Sequence, residues 1–372
     1  MGVLRFIVAL AVASGHAGGF FSADIFPKMP GSHAVQVFYI LSGFLIALIL
    51  SSKYADTRRG TWIFYSNRAV KIYVPYLVIL AVTVLVWIVI HSATGNAGPL
   101  APFASPMSVG GWVYAVTTNI FLIGMEWGSM LIERGGSLSF SAFAIENPPS
   151  AIQYNIIVPA WTLSLELMFY LIAPFILRRH FVAIAALALA SYFFRFWAYE
   201  QGFRSISTEY RFFPFELSLF LYGALSYRFY VFLKERDMFK PALSLSITLA
   251  CALTAIALPK YFRQHPHQMY AVVGILLPAL FDFSTRHRWD KWIGDLSYPL
   301  YLVHWPICVV VLAALSESGR GSFVAYAVVT ASIGSAIAIN HILVYPIDVW
   351  RQRRAKNASV RNTDKEDRMA LA

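Results

Sequence analysis

Long apolar runs, separated by short polar segments that are mostly cationic, set the pattern of this chain. Runs of the roughly 17 to 25 residues needed to cross a bilayer as helix fall near 3–20, 34–50, 72–91, 159–177, 181–199, 212–229, 242–259, 268–284, 296–316 and 322–345. The pattern predicts an all-α polytopic bundle of about ten transmembrane helices. A further run, 111–125, is short, carries Thr117, Thr118 and Asn119, and follows a segment rich in Pro, Gly and Ser. It is expected to be re-entrant or to lie in the membrane interface.

The distribution of Lys and Arg fixes the orientation of these spans. With the short run not crossing and both termini inside, 22 of the 30 cations fall on the cytoplasmic side and 8 outside. If the short run crossed, the later groups would change sides and leave 13 inside against 17 outside, against the positive-inside rule. The expected organisation is therefore one membrane domain over 1–350 and a polar cytoplasmic tail over 351–372, disordered beyond its first turn. A multi-pass chain oriented in this way is expected in an inner, or plasma, membrane.

Composition agrees. Hydrophobic residues make up 58% of the 372 positions and charged ones only 13%, which excludes an ordinary soluble domain. A net charge of +11 would suit nucleic acid, but the cations sit in clusters between apolar runs and read as topology signals, so no nucleic-acid partner is expected. Cys251 and Cys308 both lie within apolar runs and read as small apolar residues, with no disulfide framework and no metal site. The first run could be a cleavable signal, since Ala11-Val12-Ala13 fits a small-x-small site, but only Arg5 precedes it and many equivalent runs follow. P-loop, dinucleotide-binding, HExxH and GxSxG signatures are absent from the sequence.

Charges inside apolar runs are costly and therefore informative. In VLRFIVALAVASGHAGGFF, Arg5 and His16 are eleven positions apart, close to three helical turns and roughly 16 Å of rise, so both point to one face. His304, in a span rising from the same side, and Glu166, in a span descending from the other, reach comparable depths. One such group is easily a structural residue held by its neighbours; three together point to a shared polar interior. On the inner rim, Arg68 and Lys71 are three apart on one helix face. Taken alone they are surface anchors; with Arg5 they also suit the phosphates of an anionic cytosolic ligand.

Five segments carry a resemblance. LRFIVALAVASGH (Arg5, ten residues, His16), FYILSGFLI, NRAVKIYVPY, WTLSLELMFY and SYPLYLVHWP, in that order, make the chain similar to the acyltransferase 3 family of integral membrane acyltransferases along nearly its whole length. The resemblance implies transfer of an acyl group, most often acetyl, from cytosolic acyl-CoA to a hydroxyl of a carbohydrate or glycolipid acceptor. Acyl-CoA is then a co-substrate and no tightly bound cofactor is expected. It implies Arg5, Arg68 and Lys71 at the donor, His16 as general base, and His304 and Glu166 as groups that orient or charge-balance it, with roles interchangeable on sequence alone. Three departures stand out. Lys71 replaces the second Arg of an Arg-x-x-Arg pattern. The final helix reads Val344-Tyr345-Pro346 where members often carry a Glu shortly before the Pro. The tail after the last span is too short for the extracytoplasmic hydrolase-like domain that some relatives carry, so transfer is expected to be completed by the membrane domain. The competing reading is a transporter or flippase of an anionic lipid-linked sugar, with the buried His and Glu as a proton relay.

Overall fold

The structure is a computed structural model that describes residues 1–26, 29–134, 136–147, 149–239, 246, 266–315 and 319–355. Apart from residue 246, the predicted span 242–259, with Cys251, lies outside the described residues, as does the tail beyond 355. Among the described residues twelve α-helices follow in order: α1 (Gly2–Phe20), α2 (Gly31–Lys53), α3 (Arg58–Thr94), α4 (Val109–Phe121), α5 (Trp161–Ile176), α6 (Phe181–Glu200), α7 (Ile206–Tyr210), α8 (Phe213–Glu235), α9 (Pro266–Thr285), α10 (Arg288–Asp295), α11 (Ser297–Ala314) and α12 (Ser322–Ile339). After α12 a π turn over Asn340–Val344 leads into further helix, so this last element extends to Ala355.

Eight helical stretches among the described residues are long and apolar enough to cross a membrane, and the chain is an all-α polytopic bundle. α8 is equally long at 23 residues but more polar, with Glu216 and Arg228 among its residues, and it packs inside the bundle. The short run behaves as its length requires. α4 has 13 residues, about 20 Å of helix, well short of a hydrocarbon core of about 30 Å. Around it lie a hairpin of β1 (Leu131–Arg134) with β2 (Ser137–Phe140) and several short 3-10 turns. Glu133 ties this assembly together by accepting from the Ser108 N–H and from the Tyr154 hydroxyl. Burial alone would raise its carboxyl, but these two donors hold it below the usual glutamate value. The α7 segment docks beneath, Ser207 donating to the Ser129 carbonyl at 2.7 Å and Ser205 to that of Ala142 at 2.6 Å.

Two features place the interior helices. α2 and α8 cross with no side chain between them: a Cβ on Gly43 would lie 1.8 Å from the Phe220 carbonyl oxygen, and one on Gly223 would lie 1.9 Å from that of Ile40. Such small-residue contacts are how helices approach closely in a membrane. α1 is set among α2, α10, α11 and α12. Its alanines are packing residues, Ala9 and Ala13 meeting Leu300 and Ala336, and Ala17 meeting Cys308 and Ala325. At its start, the otherwise unpaired N–H groups of Gly2 and Val3 donate to the Asp290 carboxylate at 2.7 and 3.0 Å. This fixes the depth of everything α1 carries.

Candidate functional site

At the end of the bundle where α1 and α3 begin, a cavity of about 130 Å³ opens between α1, α2, α3, α5 and α11. Arg5, Arg68, Lys71 and Glu166 all line it, together with Ser42, Tyr298 and Tyr301. Arg5 is aimed by its neighbours, its Nη2 donating to the Gly294 carbonyl at 2.9 Å and to Ser297 Oγ at 3.1 Å. Arg68 lies over the Tyr170 ring at 5.8 Å, and its Nε has no partner among the described residues. Lys71, one turn on from Arg68, faces the same space because three residues return a helix to the same face.

Two groups that the sequence reading left out complete this rim. Arg351 is buried and paired with Asp348, and Asp348 also lies within coulombic reach of Lys71 and Arg68. Arg351 had been assigned to the polar tail; the signal for it was the three-residue spacing of Asp348 and Arg351 on a helix that does not stop at residue 350. Arg5, Arg68, Lys71 and Arg351 thus converge with the carboxylates of Asp348, Asp295 and Glu166 among them, and the remaining excess of positive charge suits a polyphosphate. Glu166 accepts from Ser42 Oγ at 3.0 Å and from the Tyr170 hydroxyl, so its hydrogen bonds go to hydroxyls on the cavity wall rather than to an imidazole.

His16 and His304, 288 residues apart, are in direct contact, Nδ1 of His16 lying 2.9 Å from Nε2 of His304, with the rings nearly parallel. The second nitrogen of His304 lies 3.3 Å from the Leu300 carbonyl. A carbonyl only accepts, so Nδ1 of a neutral His304 carries the proton and its Nε2 is the acceptor. His16 Nδ1–H then donates to it, which leaves Nε2 of His16 with a free lone pair. The Trp305 ring sits edge-on to His16 at 5.2 Å. Neither histidine lines the cavity; Tyr301 connects the two places. It borders the cavity, stacks obliquely at 5.8 Å from His304, and donates its hydroxyl to the Pro159 carbonyl at 2.8 Å.

Towards the end where α2, α5 and α8 begin, the buried ionisable groups include Glu126 and Arg211. Glu126, 3% exposed, lies in the turn after α4, its Oε2 without a partner among the described residues; burial pushes its carboxyl up to about 6, only partly offset by the Ser164 hydroxyl. Arg211, 8% exposed, lies between α7 and α8. Neither had any periodicity to mark it, since both fall in loops. Among the described residues no group of three His, Cys, Asp or Glu side chains is placed to hold a metal ion.

Neither the curated proteins nor the solved structures contain a match to this chain. The family model described as an acyltransferase domain matches residues 1–340, and with nearly the whole chain inside that match, this protein belongs to the acyltransferase 3 family and is a membrane acyltransferase.

Proposed function

We propose that the protein transfers an acetyl group from cytosolic acetyl-CoA to a hydroxyl of a carbohydrate or glycolipid acceptor on the far side of the inner membrane. The observation that carries this reading is the alignment of a cationic cavity with a histidine whose Nε2 is left as an acceptor. The phosphates of coenzyme A bind at Arg5, Arg68, Lys71 and Arg351, as cations that are partly withdrawn from water bind them best. The thioester end extends along the cavity towards Tyr301 and His304. His304, anchored on the Leu300 carbonyl, holds His16 in the tautomer that a base needs. His16 Nε2 then takes the proton from the acceptor hydroxyl while its oxygen attacks the thioester carbon. The C–S bond breaks, and the proton passes from His16 to the departing thiolate. Glu166, with Ser42 and Tyr170, lines the route of the acyl chain.

The orientation follows from the cation count, with both termini cytoplasmic. An impermeant thiol reagent should label Asp56→Cys from the cytoplasm only and Glu146→Cys from outside only; labelling of position 146 from the cytoplasm would reverse it. The activity itself is tested by incubating membranes with acetyl-labelled acetyl-CoA and following label into the glycan and glycolipid fractions, and by comparing glycan masses of deletion and complemented strains. One acetyl mass lost on deletion supports the reading. Unchanged glycans, with no label transferred by membranes rich in the protein, would refute it.

A further inference from the structure

Two guanidinium groups, Arg211 buried and Arg195 partly buried, stand at the end of the bundle away from the cationic rim, and they are treated differently. Arg195 of α6 is paired with the fully buried Glu216 of α8, which also accepts from Gln36 at 3.1 Å. Arg211 has no such carboxylate. Its Nη2 donates to the Tyr210 hydroxyl at 3.1 Å, while Nε and Nη1 are buried without a partner among the described residues. The group lies over the Trp161 ring at 4.7 Å and the Tyr210 ring at 5.3 Å, and these two rings meet edge to face. A flat cation is thus held in an aromatic cradle built from the first residue of α5 and the last of α7, with most of its donors unspent. Burying an unpaired charge is unfavourable, and the cost is relieved only when an anion arrives.

Its position says where that anion belongs. Arg211 is the charged side chain that reaches His16 coulombically, and it acts in the same way on Tyr301 and Tyr39 of the cavity wall. Along α5, Arg211 packs on Trp161 and Arg68 on Tyr170, nine residues further on, so Arg211 stands about 13 Å of helix away from that donor cation. We infer that Arg211 is the binding point for an oxyanion carried by the acceptor, a carboxylate or a phosphate, so that the hydroxyl to be acylated belongs to an acidic carbohydrate or glycolipid. This rests on the reading that the chain acylates a carbohydrate hydroxyl. A planar guanidinium offers paired donors along its edges, and a carboxylate or phosphate engages two at once. Held there, the acceptor is anchored by its anion within coulombic reach of His16, which leaves its hydroxyl to be presented to that base.

The full chain in lipid nanodiscs provides the test, with glucuronate as the carboxylate probe, a polyprenyl phosphate as the phosphate probe and glucose as the neutral counterpart, each added without acetyl-CoA. Binding is read as a shift in thermal unfolding across a concentration series. One of the two anions should bind the wild type in clear preference to glucose, and which one does so identifies the source of the oxyanion. Arg211→Gln should weaken that binding roughly ten- to a hundredfold, the range for a hydrogen bond to a charged group. Arg211→Lys, which keeps the charge and loses the planar edge, should fall between and serves if the Gln variant does not fold. Stabilisation by acetyl-CoA should be equal in all three proteins. Equal anion affinity in wild type and both variants, or no preference of the wild type for either anion over glucose, would overturn the assignment. Failure of acetyl-CoA to stabilise the wild type would instead count against the donor site, and the anion series remains readable without it.

Discussion

The two ends of the polar face of α1 solve the same problem in opposite ways. Arg5 enters a crowd: Arg68, Lys71 and Arg351 share its cavity or its rim, with Asp348 among them. Among the described residues His16 has one hydrogen-bonding side-chain partner, His304, and that partner is anchored on the backbone. A binding site built from several charges of one sign degrades gradually when one is lost, because the others still attract the same phosphates. A proton-transfer site built from a single oriented ring has no reserve. On the proposed reading, position along one helix face separates graded from all-or-none function in this protein.

The sharpest way to break that contrast is at His16. A general base contributes about 10²- to 10⁴-fold, so His16→Gln and His16→Ala should lower label transfer from acetyl-CoA by at least that lower bound while acetyl-CoA still stabilises the protein. Retention of more than about a tenth of wild-type turnover by His16→Gln would move the base to another residue, His304 first. Glu126 probes whether the loops over the upper end share this lack of reserve. Its folded-state value of about 6, against 4.5 for an unperturbed glutamate, means that the native state holds the proton more tightly than the unfolded chain. Stability is then greatest below about pH 4.5 and falls as pH rises to about 6, by roughly 2 kcal/mol for a shift of this size. Glu126→Gln should remove that slope in detergent melts taken from pH 4 to 8, and should melt higher than wild type at pH 7; identical pH profiles would mean that the carboxyl is not held protonated.

At the other end the effects should be smaller and should appear in KM. Arg68→Ala should raise the KM for acetyl-CoA about tenfold, the low end for one charge-assisted hydrogen bond, with kcat little changed. A fall in kcat at constant KM would show that this rim is not the donor site. Lys71→Arg, which keeps the charge, should stay within about threefold of wild type in both constants, because here the charge and not the fork geometry is used. A loss as large as that of Arg68→Ala would mean that Lys71 makes a contact which only an ammonium fits.

What could be read from the sequence follows from what periodicity carries. The eleven-residue spacing of Arg5 and His16 and the three-residue spacing of Arg68 and Lys71 gave their shared faces directly, and the length of the 111–125 run was enough to expect the short helix that α4 is. Depth alone put His16, His304 and Glu166 in the interior, but not which of them touch. The contact of His16 with His304 depends on α1 packing against α11 across nearly the whole chain. The bonds of Glu166 to Ser42 and Tyr170 depend on the α2 and α5 faces meeting. Gly43, inside FYILSGFLI, was visible as part of a resemblance, and only the crossing with α8 shows why a side chain there has no room. Arg211 and Glu126 fall in loops, where no pattern of apolar positions indicates which side chains are folded inward.

The π turn at Asn340–Val344 has a consequence for how the end of this chain is compared with other sequences. A wider turn accommodates one residue more than an α-helix does over the same rise, and that extra residue rotates everything downstream by about 100°. Asp348 and Arg351 face α3 in the phase set by that slip. Aligning this segment to a relative without the turn would pair residues in register on paper that occupy different faces in space, so a carboxylate missing before Pro346 and one present after it need not be unrelated. Removing a single residue between 340 and 344 should act as a rotation rather than a truncation: the helix would survive, and Arg351 would turn away from Arg68 and Lys71.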